Sequence, residues 1–149
     1  MDEVIRLFNE NRVRYLLIGG QAMRLEGMPR FSMDWDIYIP PTDGENFARI
    51  NDLLGEEIDL PLLPRGPGGE NFVQTYQTKW GILQFHLGGP GLPRFAQAEE
   101  RSVTRENEIG TPVACMSTED MLASKRAANR PADQADIVFL KAKLAGTDE

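Results

Sequence analysis

One cysteine and one histidine in 149 residues leave the chain few ways to build a cross-linked or thiolate-rich site. Cys115 alone excludes an internal disulfide framework, and with His86 as its single histidine the chain lacks the ligands of a Cys/His zinc site. Cys115 sits in the apolar run Pro112 to Met116 and reads as a small buried hydrophobe, since a catalytic thiol would want a histidine partner. Long apolar runs are missing as well. No stretch approaches the ~18 apolar residues of a membrane-spanning helix. Met1-Asp2-Glu3 is acidic rather than signal-like, so a soluble, cytoplasmic protein with no membrane partner is expected. Basic residues are outnumbered, 16 against 23, for a formal charge of −7. Broad nucleic-acid binding is therefore not expected, because affinity for a polyanion rests on many Lys and Arg contacts. Aromatic residues are only 8% of the chain and no RNA-binding signature is present, which disfavours a dedicated nucleic-acid module.

What the chain does have is a 41% apolar content, enough for one core, and a length that suits one domain spanning residues 1–149. Its chemistry concentrates between Tyr15 and Ile39. Tyr15-Leu16-Leu17-Ile18 is an apolar run too short for a helix and reads as a central strand ended by Gly19-Gly20. A glycine pair at a strand-to-helix junction lets backbone N–H groups turn toward one point, a favourable place for phosphate. Gln21 to Glu26 then form a short helix closed by Gly27, and Met28-Pro29-Arg30 leads into a second strand. In that strand alternation puts Asp34, Asp36 and Tyr38 on one face and Met33, Trp35, Ile37 and Ile39 on the other. Two ionised carboxylates so close repel each other unless a cation lies between them or one is protonated. No lysine is nearby, and oxygen ligands favour magnesium or manganese over zinc. A plainer alternative is that Asp34 and Asp36 only cap or solubilise an edge strand.

Hydrophobic strand, Gly-Gly, about a dozen residues and Asp-x-Asp between apolar positions: this order resembles the DNA polymerase β-like nucleotidyltransferase superfamily. More narrowly, GGQAMRLEGMPRFSMDWDIYI is similar to the small single-domain branch that includes toxin–antitoxin and abortive-infection nucleotidyltransferases, with Gly20, Gly27, Arg30, Ser32, Asp34 and Asp36 at matching positions. Near the end, STEDMLASKRAANRPADQADIVFLKA resembles that branch's closing helices, with their Lys, Asn-Arg-Pro and Asp-x-x-Asp positions. Between the two, LQFHLGGPGLPRF resembles a segment that ordinarily carries a third aspartate before a Pro-Gly-Leu turn. Aligning on Pro90-Gly91-Leu92 places Gln84 where that aspartate would stand. The exchange keeps a neutral oxygen ligand but removes a negative charge and a proton acceptor, a loss that commonly costs about 10²- to 10⁴-fold in rate.

The remaining segments frame this site. Asp2 to Asn11 has Val4, Ile5 and Phe8 at helical spacing, and Thr42 or Asp43 caps a helix through Leu54 with Phe47, Ile50, Leu53 and Leu54 inward. PLLPRGPGG, residues 61–69, reads as a loop. Asn71 to Thr78 and Gly81 to Leu87 read as strands around Lys79-Trp80, the second with Leu83, Phe85 and Leu87 on one face and Ile82, Gln84 and His86 on the other. If it neighbours the aspartate strand, Gln84 and His86 point toward Asp34 and Asp36. Pro93 to Glu100 reads as a short helix whose Glu99 and Glu100 form a solvated face, and Ser102 to Ile109 with Pro112 to Met116 as a hairpin. Ser117 opens a helix with a capping-box look, and Pro131 opens the last helix after the Asn129 stop.

The expected architecture is α/β, a mixed sheet of about five strands with helices packed around it. The resemblance implies a nucleoside triphosphate and an unidentified hydroxyl acceptor or partner protein as partners, Mg2+ or Mn2+ on Asp34 and Asp36, and transfer of a nucleoside monophosphate. The catalytic candidates are Asp34, Asp36, Gln84 and His86; His86 is a base, a nitrogen ligand or a structural residue. The nucleotide-binding candidates are Gly19, Gly20, Arg30, Ser32 and Lys125. Arg30 holds an anion or pairs with a carboxylate, Ser32 is a supporting hydrogen bond, and Lys125 either reaches a phosphate or pairs with Asp133 and Asp136. The alternative is a nucleotide- or partner-binding module with impaired chemistry, one component of a toxin–antitoxin-type pair.

Overall fold

The aspartate strand lies near the middle of a mixed sheet of six strands, flanked by six α-helices in the computed structural model, which describes residues 1–29 and 31–146. In chain order the elements are α1 (Asp2–Glu10), β1 (Leu16–Ile18), α2 (Gly19–Glu26), β2 (Asp34–Tyr38), α3 (Gly44–Leu54), β3 (Val73–Thr78), β4 (Gly81–His86), α4 (Phe95–Arg101), β5 (Val103–Glu106), β6 (Pro112–Cys115), α5 (Thr118–Ala128) and α6 (Gln134–Gly146). The strands are ordered β3-β4-β2-β1-β6-β5, with β1/β6 and β2/β4 parallel and the other neighbours antiparallel. The architecture is the expected α/β one.

Alternation along β2 and β4 divides the sheet into two unlike faces. Ile37 pairs with Leu17 on one side and Phe85 on the other, so Leu17, Ile37, Leu83 and Phe85 share a face, and all four are completely buried. Val4, Ile5 and Phe8 of α1 and Phe47, Ile50 and Leu54 of α3 belong to the same core. Truncating a buried ring there, as in Phe85→Ala, removes contacts worth about 3–5 kcal/mol. Rigid packing on that face fixes the register that positions the polar one.

Helix ends follow local chemistry. Asp43 caps α3 by accepting from the Asn46 amide, Ser117 caps α5 by accepting from the Asp120 amide, and Gly27 and Asn129 close α2 and α5 in the left-handed region. Pro131 opens a 3₁₀ turn over Pro131–Asp133 before α6, because the Asp133 carboxylate turns back onto the backbone and guanidinium of Arg130. Cys115 is buried, and that burial pushes its thiol up to about 12, which keeps it protonated and inert. Glu99 departs from the expected solvated face: it pairs with Arg14 at 2.8 Å, because α4 packs its N-terminal Phe95 beneath that guanidinium. Among the described residues no helix is long and apolar enough to cross a membrane.

Candidate functional site

The parallel pairing of β2 and β4 sets Asp36 opposite Gln84, Asp34 opposite Ile82 and Tyr38 opposite His86. Asp34, Asp36, Gln84 and His86 therefore stand on one face, and all four line a cleft of about 800 Å³. His86 Nε2 lies 2.8 Å from Asp36 Oδ1, with the two side chains 21% and 18% exposed. An ionised carboxylate only accepts, so Nε2 carries the proton of this hydrogen bond. The bond holds the imidazole against the carboxylate pair.

Helix α2 starts directly from β1, and its first residue is Gly19. Gly19 has φ +71°, and because Ile18 pairs with Asp36 its backbone runs against that side chain. A Cβ at this position would stand 2.9 Å from both Cβ and Cγ of Asp36 and overlap the carboxylate itself. No other residue fits without moving Asp36. Gly19 and Gly20 both line the cleft and supply the first turn of α2, whose N–H groups have no acceptor within the helix. The arrangement thus puts a positive helix end and a pair of carboxylates around one space.

The other sequence candidates fall out differently. Ser32 lines the cleft and donates its hydroxyl to the Asp34 carbonyl at 3.2 Å, a contact that supports the start of β2. Lys125 also lines the cleft, but its ammonium lies 3.0 Å from Asp136 and 3.4 Å from Asp133, the pairing alternative weighed from sequence. Arg30 lies outside the described residues.

Other residues that line the cleft were not read from sequence as part of the site, Arg130, Phe72 and Ser124 among them. Arg130 lines it and pairs with Asp133 at 2.9 Å; the hydrogen bond and charge of Asp133 raise its pKa, and Asp36 adds to the effect. The Asn-Arg-Pro run was the available signal. Phe72 and Ser124 also line it, and no local pattern in the sequence marks either.

Among the described residues no group of three or more His, Cys, Asp or Glu gathers as a metal centre. The donor set is instead two carboxylates with an amide oxygen opposite one of them. Asp34, Asp36 and Gln84 fit a hard, oxygen-bound cation that keeps positions for phosphate and water, and do not fit zinc.

No protein-family model and no curated protein matches the chain. Solved structures do. A lincosamide antibiotic adenylyltransferase, LnuA, with lincomycin bound, is similar with a TM-score of 0.59 at 20% identity, over 95% of this chain and 94% of that one. The antibiotic-resistance factor ANT(2'')-Ia is similar with a TM-score of 0.58 at 17% identity, over 98% and 82%. A provisionally assigned nucleotidyltransferase from Thermotoga maritima is similar with a TM-score of 0.52 at 12% identity, over 97% and 89%. The chain has the nucleotidyltransferase fold.

Proposed function

We propose that this chain of nucleotidyltransferase fold transfers a nucleoside monophosphate from a nucleoside triphosphate to a hydroxyl acceptor. The observation that carries the reading is the contact of the Gly19 backbone with Asp36 beside Asp34, which brings an anion-binding helix end and an acidic pair to one cleft. The names of the solved relatives, one an adenylyltransferase, support the same reaction class. A divalent cation on Asp34 and Asp36, with Gln84 beside them, would neutralise phosphate oxygens of the triphosphate.

In the reaction the acceptor oxygen forms a bond to the α-phosphorus, the bond from that phosphorus to the bridging oxygen breaks, and pyrophosphate leaves. The acceptor proton needs a base. Gln84 cannot take it; Asp36 is a carboxylate on the same face, and His86 is held against it at 2.8 Å. Gly19 and Gly20 orient the triphosphate, and Arg130 adds positive charge at the cleft wall.

A second reading rests on Gln84: an amide opposite Asp36 weakens proton removal and suits a nucleotide-binding module with little turnover. A role as one half of a toxin–antitoxin-type pair rests on the sequence resemblance alone. Pyrophosphate release from ATP with Mg2+, measured for the wild type and Gln84→Asp with a panel of hydroxyl compounds, separates the readings. Release by the wild type supports transfer. A silent wild type with an active Gln84→Asp supports the module.

A further inference from the structure

A second cleft, of about 810 Å³, opens on the other side of the turn that follows β4. The two clefts share Phe72, Gly88, Gly89, Pro90 and Leu92, so one wall separates them. Its volume falls in the range of small-molecule sites. Tyr38 and Phe95, both buried, pack edge to face at its base with ring centroids 5.2 Å apart, the Tyr38 hydroxyl donates to the Pro93 carbonyl at 2.7 Å, and Phe72 and Leu92 present apolar surface on the shared wall.

The charge of this cleft runs against that of the chain. Three arginines line it, Arg14, Arg65 and Arg94, against one acid, Asp43, in a protein of net charge −7. Arg14 is already committed to Asp43 at 3.0 Å and Glu99 at 2.8 Å. Arg65 and Arg94 are exposed, and among the described residues neither side chain has an ion-pair or hydrogen-bond partner. Glu70, the nearest acid in sequence to Arg65, is turned into its own loop, where it accepts from the Gly68 amide at 3.0 Å. Arg65 reaches over the shared wall: a Cβ at Gly88 would lie 2.7 Å from its Nη1, and Gly88 is two residues from His86. Its charge also bears on Tyr38, where it opposes the upward push of burial on the phenol.

Resting on the transfer reading above, we infer that the second cleft holds the acceptor, a small hydroxyl compound bearing a carboxylate or phosphate. Its acid group sits on the forked donors of Arg65 and Arg94, its apolar body lies against Phe72 and Leu92, and its hydroxyl crosses the Gly88–Pro90 wall toward Asp36. A polycationic acceptor is disfavoured by the same arginines. The covalent step is the one already given, with pyrophosphate leaving.

The full chain is titrated with 4-(hydroxymethyl)benzoate, 4-(hydroxymethyl)phenyl phosphate and the neutral benzene-1,4-dimethanol, following the Nε–H resonances of Arg65 and Arg94 and the amides of Gly19 and Gly20. At least one anion is expected to shift both arginines, and which one identifies the acid group. The neutral diol is expected to leave them in place, Arg65→Gln and Arg94→Gln each to weaken anion binding about tenfold, and MgATP to shift Gly19 and Gly20 with unchanged affinity when the anion is present. Equal binding of the diol, or competition between anion and ATP, overturns the inference. If ATP shifts the glycines and neither anion moves the arginines, the inference fails and the nucleotide reading stands. If an anion binds and ATP does nothing, it is the transfer reading, and the acceptor role with it, that fails.

Discussion

His86 Nε2 and Asp36 Oδ1 lie 2.8 Å apart across the β2/β4 pairing, which places the chain's one imidazole against the carboxylate that faces Gln84. If that imidazole takes up the acceptor proton, His86→Ala and His86→Gln both lower turnover by about 10²- to 10⁴-fold. Glutamine can still donate to Asp36, so a merely structural role would be restored by His86→Gln. ATP affinity, read by calorimetry, is expected to change little in either variant.

Gly19 and Gly27 both have positive φ, +71° and +110°, but only Gly19 has a side chain in the way of a Cβ. Gly27→Ala is expected to cost stability alone, about 1–3 kcal/mol of backbone strain. Gly19→Ala carries strain of that order and also displaces Asp36, so nucleotide affinity falls by at least about tenfold. Urea midpoints and ATP titrations of the two variants, run side by side, check the contrast.

Lys125 joins α5 to the start of α6 by facing Asp133 and Asp136, whose residues are 1% and 2% exposed. Removing the ammonium takes one partner from each of these buried carboxylates, while Asp133 keeps Arg130, so Lys125→Met is expected to cost about 1–3 kcal/mol. Chemical denaturation measures it. A change in ATP affinity with unchanged stability would instead assign Lys125 to the nucleotide.

The Arg130 side chain, donating to Asp133, holds that carboxyl down at about 2 from an ordinary 3.8. A depressed carboxylate stabilises the fold fully above its unfolded value and loses that contribution as pH falls through its folded value. Stability should therefore decline between about pH 4 and pH 2, with Asp133 accounting for about 2 kcal/mol. Asp133→Asn is expected to flatten that limb in a pH series of urea midpoints, at the cost of lower stability near neutrality.

Much of the candidate site's geometry was legible because its signals are local. Period-two alternation predicted that Asp34 and Asp36 share a face and that Gln84 and His86 share another, and the β2/β4 register makes the two faces one. Caps were similarly readable: Asp43, Ser117, Gly27 and Asn129 each end or begin a helix by chemistry within a few residues. Long-range charge pairing was not readable. Glu26, buried in α2, pairs with Arg105 at 2.8 Å and Lys143 at 2.6 Å, partners 79 and 117 residues away with no periodic mark. The same holds for Arg14 with Glu99, read from sequence as a solvated face. The second cleft escaped notice because Arg65 and Arg94 come from a proline-rich loop and a helix cap, brought to one space only by the fold.

Nucleotide transfer by this chain requires a cation on the acidic pair facing the glycine turn. Amide resonances followed with Mn2+ and a non-hydrolysable ATP analogue test it directly, because the paramagnetic ion broadens only what lies near it. Broadening centred on Gly19, Gly20, Asp34 and Asp36, lost in Asp36→Asn, is the predicted result. Broadening that persists unchanged in Asp36→Asn, or that spares Gly19 and Gly20, would contradict the account.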